Sequence, residues 1–286
     1  MAHDHRHHHH HTTEADQTAL AEMLDLDAEV LHAQLSDLTG WVRDLAGDPA
    51  PRRIVDVGAG TGAGTFALLG RFPDAEVVAL DASAELLRRL ETKAGDLGVA
   101  DRVRAVEADL DVAWPAVGTA DLVWASASLH HMADPDRVLA DVLAALRPGG
   151  HLALVELDSF PRFLPEHLGF GRPGLEARCH DVIADQRAVD VPHLGSDWGS
   201  RLSGAGFTIR DERVVDVELT APLPDATARY ALASLRRLRS GVGDRLDADD
   251  RAALDLLVDE DGERSVLRRD DLVVRATRTA WVAQRP

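Results

Sequence analysis

In the stretch RRIVDVGAGTGAGTFALLG, residues 52–70, four glycines fall within seven residues, between a short apolar run and a second one. Ile54-Val55-Asp56-Val57 reads as a buried β-strand, and residues 65–69 as the first turns of a helix. Gly58, Gly60, Gly62 and Gly64 fill the turn between them, where a missing Cβ permits positive φ and close approach of a ligand to the backbone. A tight glycine turn feeding a helix N-terminus is a nucleotide-cofactor device, though the bare pattern does not say which cofactor.

Strand and helix signals then alternate. AEVVALD is a second strand, followed by the helix SAELLRRLETKA with Ser83 as its cap. DRVRAVEAD is a third strand and ADLVWASA a fourth. In DPDRVLADVLAALRPGG, Asp134 caps a helix, Pro135 takes its first position and Pro148-Gly149-Gly150 stops it. HLALVELD is the fifth strand. Such alternation implies a parallel sheet with helices on both faces, an α/β fold.

Ahead of this core, residues 14–47 carry leucines at three- and four-residue spacing, predicting one or two helices, the longer capped by Asp27, before GDPAP breaks the pattern. Beyond Asp158 the rhythm fails: residues 159–195 hold four prolines and look like an insertion. DWGSRLSGAGF resumes as helix and turn and TIRDERVVDVEL as a strand; residues 221–270 look helical, and ATRTAWVAQR is the final strand. The expected organisation is a His-rich tail over 1–13, a helical cap over 14–50, and a main domain over 51–286 with insertions at about 159–195 and 221–270.

Composition narrows the function. At 286 residues the chain suits one large α/β domain with additions, and 45% apolar residues are enough for a substantial core. A net charge of −18 speaks against binding a phosphate backbone, so no nucleic-acid partner is expected. Cys179 is the only cysteine, which excludes an internal disulfide and suits a reducing cytosol. No apolar run approaches a membrane span, and the expected location is cytoplasmic. Lys93 is the only lysine; with abundant Ala, Asp and Gly this suggests a GC-rich genome, such as that of an actinobacterium. The opening MAHDHRHHHHH is either an expression tag or a native tail able to bind transition metals, and no metal role in the chemistry is expected.

Two cofactors compete for the glycine turn. Gly58-x-Gly60-x-x-Ala63, with Asp81 closing the second strand, satisfies a dinucleotide fingerprint and would suit an NAD-dependent dehydrogenase. The same residues satisfy Asp-x-Gly-x-Gly-x-Gly from Asp56 to Gly62, and here the chain resembles the class I S-adenosylmethionine (SAM)-dependent methyltransferases. EADL with Asp109, ASASLHHMADP after the fourth strand and LRPGG before the fifth resemble that family's later motifs. The resemblance implies a Rossmann-like three-layer sandwich whose seven-stranded, mostly parallel sheet ends in an antiparallel strand, with a helical cap added. It implies methyl transfer from SAM, which becomes S-adenosylhomocysteine, to a small-molecule acceptor, with a place in specialised metabolism. A second reading keeps the SAM site but repurposes the fold for other chemistry or for ligand binding.

The resemblance also assigns roles. The backbone at Gly58, Gly60 and Gly62 would accommodate the methionine end and ribose, a Cβ there colliding with the ligand. Asp56 would orient the loop and attract the cationic ligand, Asp81 would accept from the ribose hydroxyls, and Ala82 would pack on the adenine. Asp109 would accept from the adenine amine while the Leu110 amide serves a ring nitrogen. Ala125 and Ser126 end the fourth strand at the cofactor edge, and His130 just beyond is a candidate general base, with His131 the weaker candidate. Glu156 and Asp158 could help to position an acceptor. Acceptor choice falls to the cap and insertions, where Arg229, Arg236, Arg237, Arg239 and Arg245 could recognise a carboxylate or phosphate. Phe160, Phe163, Phe170, Trp198 and Tyr230 are candidates for an apolar pocket. The oligomeric state is left open, a homodimer included.

Overall fold

The computed structural model describes residues 14–286, and the histidine-rich opening with its metal question lies outside them. Two helices come first, α1 (Glu14–Val30) and α2 (His32–Ala46). The alternating part runs β1 (Arg53–Val57), α3 (Ala63–Arg71), β2 (Glu76–Asp81), α4 (Ala84–Asp96), β3 (Val103–Glu107), β4 (Ala120–Ser126), α5 (Pro135–Ala145) and β5 (Leu146–Leu157). Helices α6 (Leu175–Val182), α7 (Ala184–Asp190) and α8 (Trp198–Gly204) lead to β6 (Thr208–Leu219). Helices α9 (Thr227–Val242) and α10 (Ala248–Val258) separate it from β7 (Val274–Gln284). No helix among the described residues is long and apolar enough to cross a membrane.

One seven-stranded sheet takes the order β3-β2-β1-β4-β5-β7-β6, with β7 antiparallel to both of its neighbours. The chain winds outward from β1 to β3 and returns to lay β4 against the other side of β1. That reversal opens a crevice at the carboxyl ends of β1 and β4, the place where open α/β sheets bind ligands.

Side-chain alternation along each strand builds two of the cores. Ile54, Val77, Leu122 and Trp124 face one way, against Leu68 and Phe72 of the α3 region and Trp41 of α2. Val55, Val57, Leu80 and Val123 face the other, against Val138 and Val142 of α5 and Leu202 of α8. A third core lies off the sheet: Phe163, Leu175, Tyr230, Leu235, Leu254 and Val266 pack together with Leu26 and Val30 of α1 and with Val217 and Val274 of β6 and β7. Both segments expected as insertions thus share one apolar cluster with α1. At about 1.5–3 kcal/mol for each large aliphatic side chain fully removed from water, that cluster makes the cap a packed body.

Local signals mostly hold. Ser83 Oγ accepts from the Leu86 N–H at 3.3 Å, and Asp134 Oδ1 accepts from the Arg137 N–H at 3.0 Å ahead of Pro135. Two expectations need correction. Asp27 caps no helix: it lies inside α1, and Leu31, which makes no side-chain cap, precedes α2. Its carboxylate instead accepts from the Tyr230 hydroxyl at 2.6 Å and from Arg278 at 2.7 Å, tying α1 to α9 and β7. Nor does Pro148-Gly149-Gly150 stop α5, which ends at Ala145 with Leu146 already extended at φ −74° and ψ 147°. Pro148 disfavours helix at the residue before it, and the fully buried Leu146 side chain belongs to the sheet's core.

Candidate active site

The glycine turn is shaped by its own chain. Gly58 has φ 69°, and a Cβ there would sit 2.4 Å from Ser128 Cβ in the loop after β4. Gly62 has φ 94°, and its Cβ would sit 2.5 Å from the Phe66 ring. At Gly60 the nearest atom is Leu24 Cδ1 of α1, at 3.2 Å. Positive φ and the close approach of neighbouring elements already favour glycine at these positions, whatever a ligand adds. Gly58 and Gly60 line the cavity described below, whereas Gly62 turns inward against Phe66.

Three strand ends bring three carboxylates to one wall: Asp56 of β1, Asp81 of β2 and Asp109 after β3 all line the same cavity. Asp56 projects to the α3 side, where Oδ2 accepts from the Thr65 hydroxyl at 2.7 Å. It is only 2% exposed. Burial pushes its pKa up to about 7, with the charge of Asp81 adding to the rise and the Thr65 bond opposing it. Asp81 holds the turn itself, accepting from the Gly60 N–H at 2.9 Å and the Ser83 N–H at 2.8 Å. Its pKa is also raised, by burial, against the pull of those amides. Asp109 stands at the exposed rim, Oδ1 accepting from the Asp111 N–H at 2.9 Å. Ala82 lies beside Asp81 on the wall; Leu110 lines it too, and its carbonyl accepts from Arg137.

Beyond β4 the chain bends sharply. Ala127 holds φ 51°, a left-handed conformation costing a non-glycine residue on the order of 1 kcal/mol or more. It is fixed by its N–H donating to the Val155 carbonyl at 2.8 Å and by Ser128 Oγ donating to the Val57 carbonyl at 2.9 Å. Ser126 lines the cavity as expected. Ala125 does not: its side chain points into the core with Val57 and Leu154, as strand alternation requires of Ser126's neighbour. His130, in a short 3-10 turn over Leu129–His131, is 2% exposed and borders the cavity.

Its partner is the buried Glu156 of β5. Glu156 Oε1 accepts from the Leu129 N–H at 2.9 Å, and Oε2 contacts His130 Nδ1. A carboxylate only accepts, so Nδ1 carries the proton and Nε2 is left as the basic atom. The His131 ring lies 4.1 Å away, centroid to centroid. Burial, with the charges of His130 and Arg237 behind it, presses the His131 pKa down to about 4. Asp158 is engaged elsewhere, accepting from the Thr279 hydroxyl at 2.8 Å.

The cap closes the other side. The cavity, 1170 Å³, runs between the strand ends and helices α1, α2, α7 and α9. That exceeds the roughly 300–1,000 Å³ usual for one small ligand, leaving room for two. Of the aromatic candidates, Phe160 and Tyr230 reach it; Phe163 and Trp198 are buried in cores, and Phe170 packs on the cap. Arg229, Arg239 and Arg245 do not line it, whereas Arg237 does, as does Arg236, whose guanidinium pairs with Glu260 at 2.5 Å. Sequence reasoning missed Arg187, His180 and Arg278 on this wall, because no local pattern says how an insertion will dock.

The donor set fits SAM. Its ammonium, sulfonium, ribose hydroxyls and adenine amine are cationic groups or donors, and three carboxylates along β1, β2 and β3 supply acceptors in that order. Comparison with known proteins points the same way. Residues 55–152 match the family described as "Methyltransferase domain". The chain is 36% identical over 196 residues to the malonyl-acyl-carrier-protein O-methyltransferase of Laribacter hongkongensis, covering 67% of this chain and 61% of that one. It is 34% identical over 144 residues to the trans-aconitate 2-methyltransferase of an Acidovorax species, covering 49% and 52%. The chain thus spans about half to three-fifths of the length of these curated relatives. Among solved structures, the cyclase SpnF superposes with TM-score 0.53 at 21% identity, covering 88% of this chain and 81% of that one, a likeness of fold. Sheet order, glycine turn, acidic strand ends and these matches agree that the chain has the fold of the class I SAM-dependent methyltransferases and carries a methyltransferase domain over residues 55–152.

Proposed function

We propose that the protein transfers the methyl group of SAM to a small-molecule acceptor bound under the cap. The observation that carries this reading is one continuous cavity with Asp56, Asp81 and Asp109 at one end and His130 on its wall. When bound, SAM supplies an electrophilic methyl on a sulfonium leaving group. The chain's part is to hold both molecules in line and keep water out, which is most of what such a transfer needs. Where the accepting atom carries a proton, His130 Nε2 takes it, with Glu156 fixing the ring through Nδ1.

Roles follow for the remaining residues. Asp81 accepts from the ribose hydroxyls on lone pairs not used by Gly60 and Ser83, and Ala82 packs on the adenine. Asp109 and the Leu110 amide serve the adenine edge, and Gly58 and Ser126 border the methionine end. Titration calorimetry with SAM, S-adenosylhomocysteine and reduced NAD tests the reading. Micromolar or tighter binding of the two sulfur compounds is expected, together with S-adenosylhomocysteine formation against a metabolite panel. Binding of NAD in their place would overturn it; sulfur-compound binding with no turnover on any acceptor would favour a repurposed fold.

A further inference from the structure

The far wall of the cavity has a charge pattern opposite to that of its acidic end. Arg187 of α7 and Arg237 of α9 both line it. The chain has 49 acidic residues against 31 basic ones, so carboxylates are plentiful, yet these two arginines hold none among the described residues. The helix neighbours of Arg237 do: Arg236 pairs with Glu260 at 2.5 Å and Arg239 with Asp255 at 2.5 Å. Arg278, on the same cavity, pairs with Asp27 at 2.7 Å. No carboxylate among the described residues pairs with Arg187 or Arg237.

Arg187 has neutral company instead. Its Nη1 donates to His180 Nδ1 at 2.7 Å, and its guanidinium carbon lies 4.1 Å from the Phe160 ring centroid. An arginine cannot accept, so His180 Nδ1 is unprotonated, and the neutral ring keeps its proton on Nε2 as a further donor. Two acids on the same cavity have other partners: Glu176 accepts from the Phe163 and Leu164 N–H groups, and Asp190 from Gln186 at 2.8 Å. Burial, then the charges of Arg237 and Arg162, bring the Arg187 pKa down to about 10, and His180 falls to about 4. Burial does most of this, and the neighbouring guanidinium charges add to it.

We propose that Arg187 and Arg237 form an oxyanion-binding pole under the cap, and that the methyl acceptor carries a carboxylate or phosphate which seats there while its accepting atom lies toward His130. The forked donors of arginine suit such groups, and a partly desolvated site strengthens the pairing. The acceptor half of this proposal rests on the methyl-transfer reading; the pole does not. Its anion would sit between Arg187 and Arg237, whose like charges face the same cavity.

The test uses the full chain, with and without saturating S-adenosylhomocysteine, titrated with glutarate, with inorganic phosphate and with uncharged glutaramide. Both oxyanions are expected to bind and the amide not; the tighter of the two identifies the acceptor's anionic group. Arg237→Met, at an exposed position that should not disturb folding, and Arg187→Met should each weaken oxyanion binding at least tenfold. Arg239→Met, the same charge change on the same helix away from the cavity, should leave it within twofold. Oxyanions binding no better than glutaramide, or Arg239→Met weakening them as much as Arg237→Met, would overturn the pole. Failure of the wild type to bind S-adenosylhomocysteine while it still binds oxyanions would instead sink the methyl-transfer reading and leave the pole standing.

Discussion

Asp56 sits where a carboxylate is least favoured, buried on the α3 side of β1 with one hydroxyl as its side-chain donor. Its folded pKa of about 7, against the ordinary 3.8 of an aspartate, means that the native state holds a proton the unfolded chain releases. Stability from this group is therefore full below about pH 4, falls as pH rises toward 7, and stays low above. Urea denaturation at pH 5 and pH 8 should show wild type losing on the order of a few kcal/mol more than Asp56→Asn between those values. An equal loss in both would remove Asp56 as the source. A cation bound beside the carboxylate favours its ionised form, so wild-type affinity for SAM should tighten from pH 6 to 8 and binding should release a proton, seen as a buffer-dependent enthalpy; Asp56→Asn should show neither. Asp81 acts differently, because both its oxygens already hold backbone amides. Asp81→Ala should cost about 1.5–3 kcal/mol of SAM binding, the range for losing a charged hydrogen-bond partner, measurable by calorimetry. The sequence could not separate these two acids. It placed Asp56 inside the first strand and Asp81 at the end of the second, but which is buried depends on strand alternation against a helix whose docking lies outside the motif.

Helix α1 crosses the glycine turn as a strap held by polar contacts. Leu24 covers Gly60, while Asp25 accepts from the Thr61 hydroxyl at 2.5 Å and pairs with Lys93 of α4. Lys93 and Asp25 are each about one-third exposed, so the pair should add little to global stability, within about 0–1 kcal/mol. Its effect should be local: Lys93→Met is expected to leave the melting temperature nearly unchanged, to speed amide exchange along α1, and to weaken S-adenosylhomocysteine binding severalfold. Unchanged exchange in α1 would show that the apolar contacts of Leu26 and Val30 hold the strap unaided. This strap marks the boundary of what was legible. The elements from β1 to β5 follow from periodicity and caps, since each strand and helix carries its own signal within a dozen residues. The order of β6 and β7 was expected only as an antiparallel end, which it is. By contrast Asp27 reads locally as a cap and belongs instead to a cluster with Tyr230 and Arg278, 203 and 251 residues away. His130 and Glu156 were both in view, but their pairing depends on the parallel register of β4 and β5, which sequence leaves free.

For the molecule as a whole, the sheet end and the cap are two packed bodies with the cavity between them. One is built on the two sheet faces, the other on α1, α6, α9 and α10 around Phe163 and Leu254. Helices α1 and α9 contact each other and both line the cavity, whereas α5 is packed on the sheet and does not. Entry by parting of the cap from the strand ends predicts that α1, α2 and α9 open at lower free energy than the sheet. A ligand bridging the two bodies must then stabilise the closed arrangement by its differential affinity for it. Saturating S-adenosylhomocysteine is accordingly expected to slow hydrogen exchange in residues 14–46 and 227–242 more than in residues 135–145, with an oxyanion at the Arg187–Arg237 pole adding protection in α7 and α9. Equal protection in all three segments, or protection confined to residues 58–81, would mean that the cap does not gate the site. The acceptor would then have to reach His130 by a path that leaves both cap helices undisturbed, past the exposed rim at Asp109.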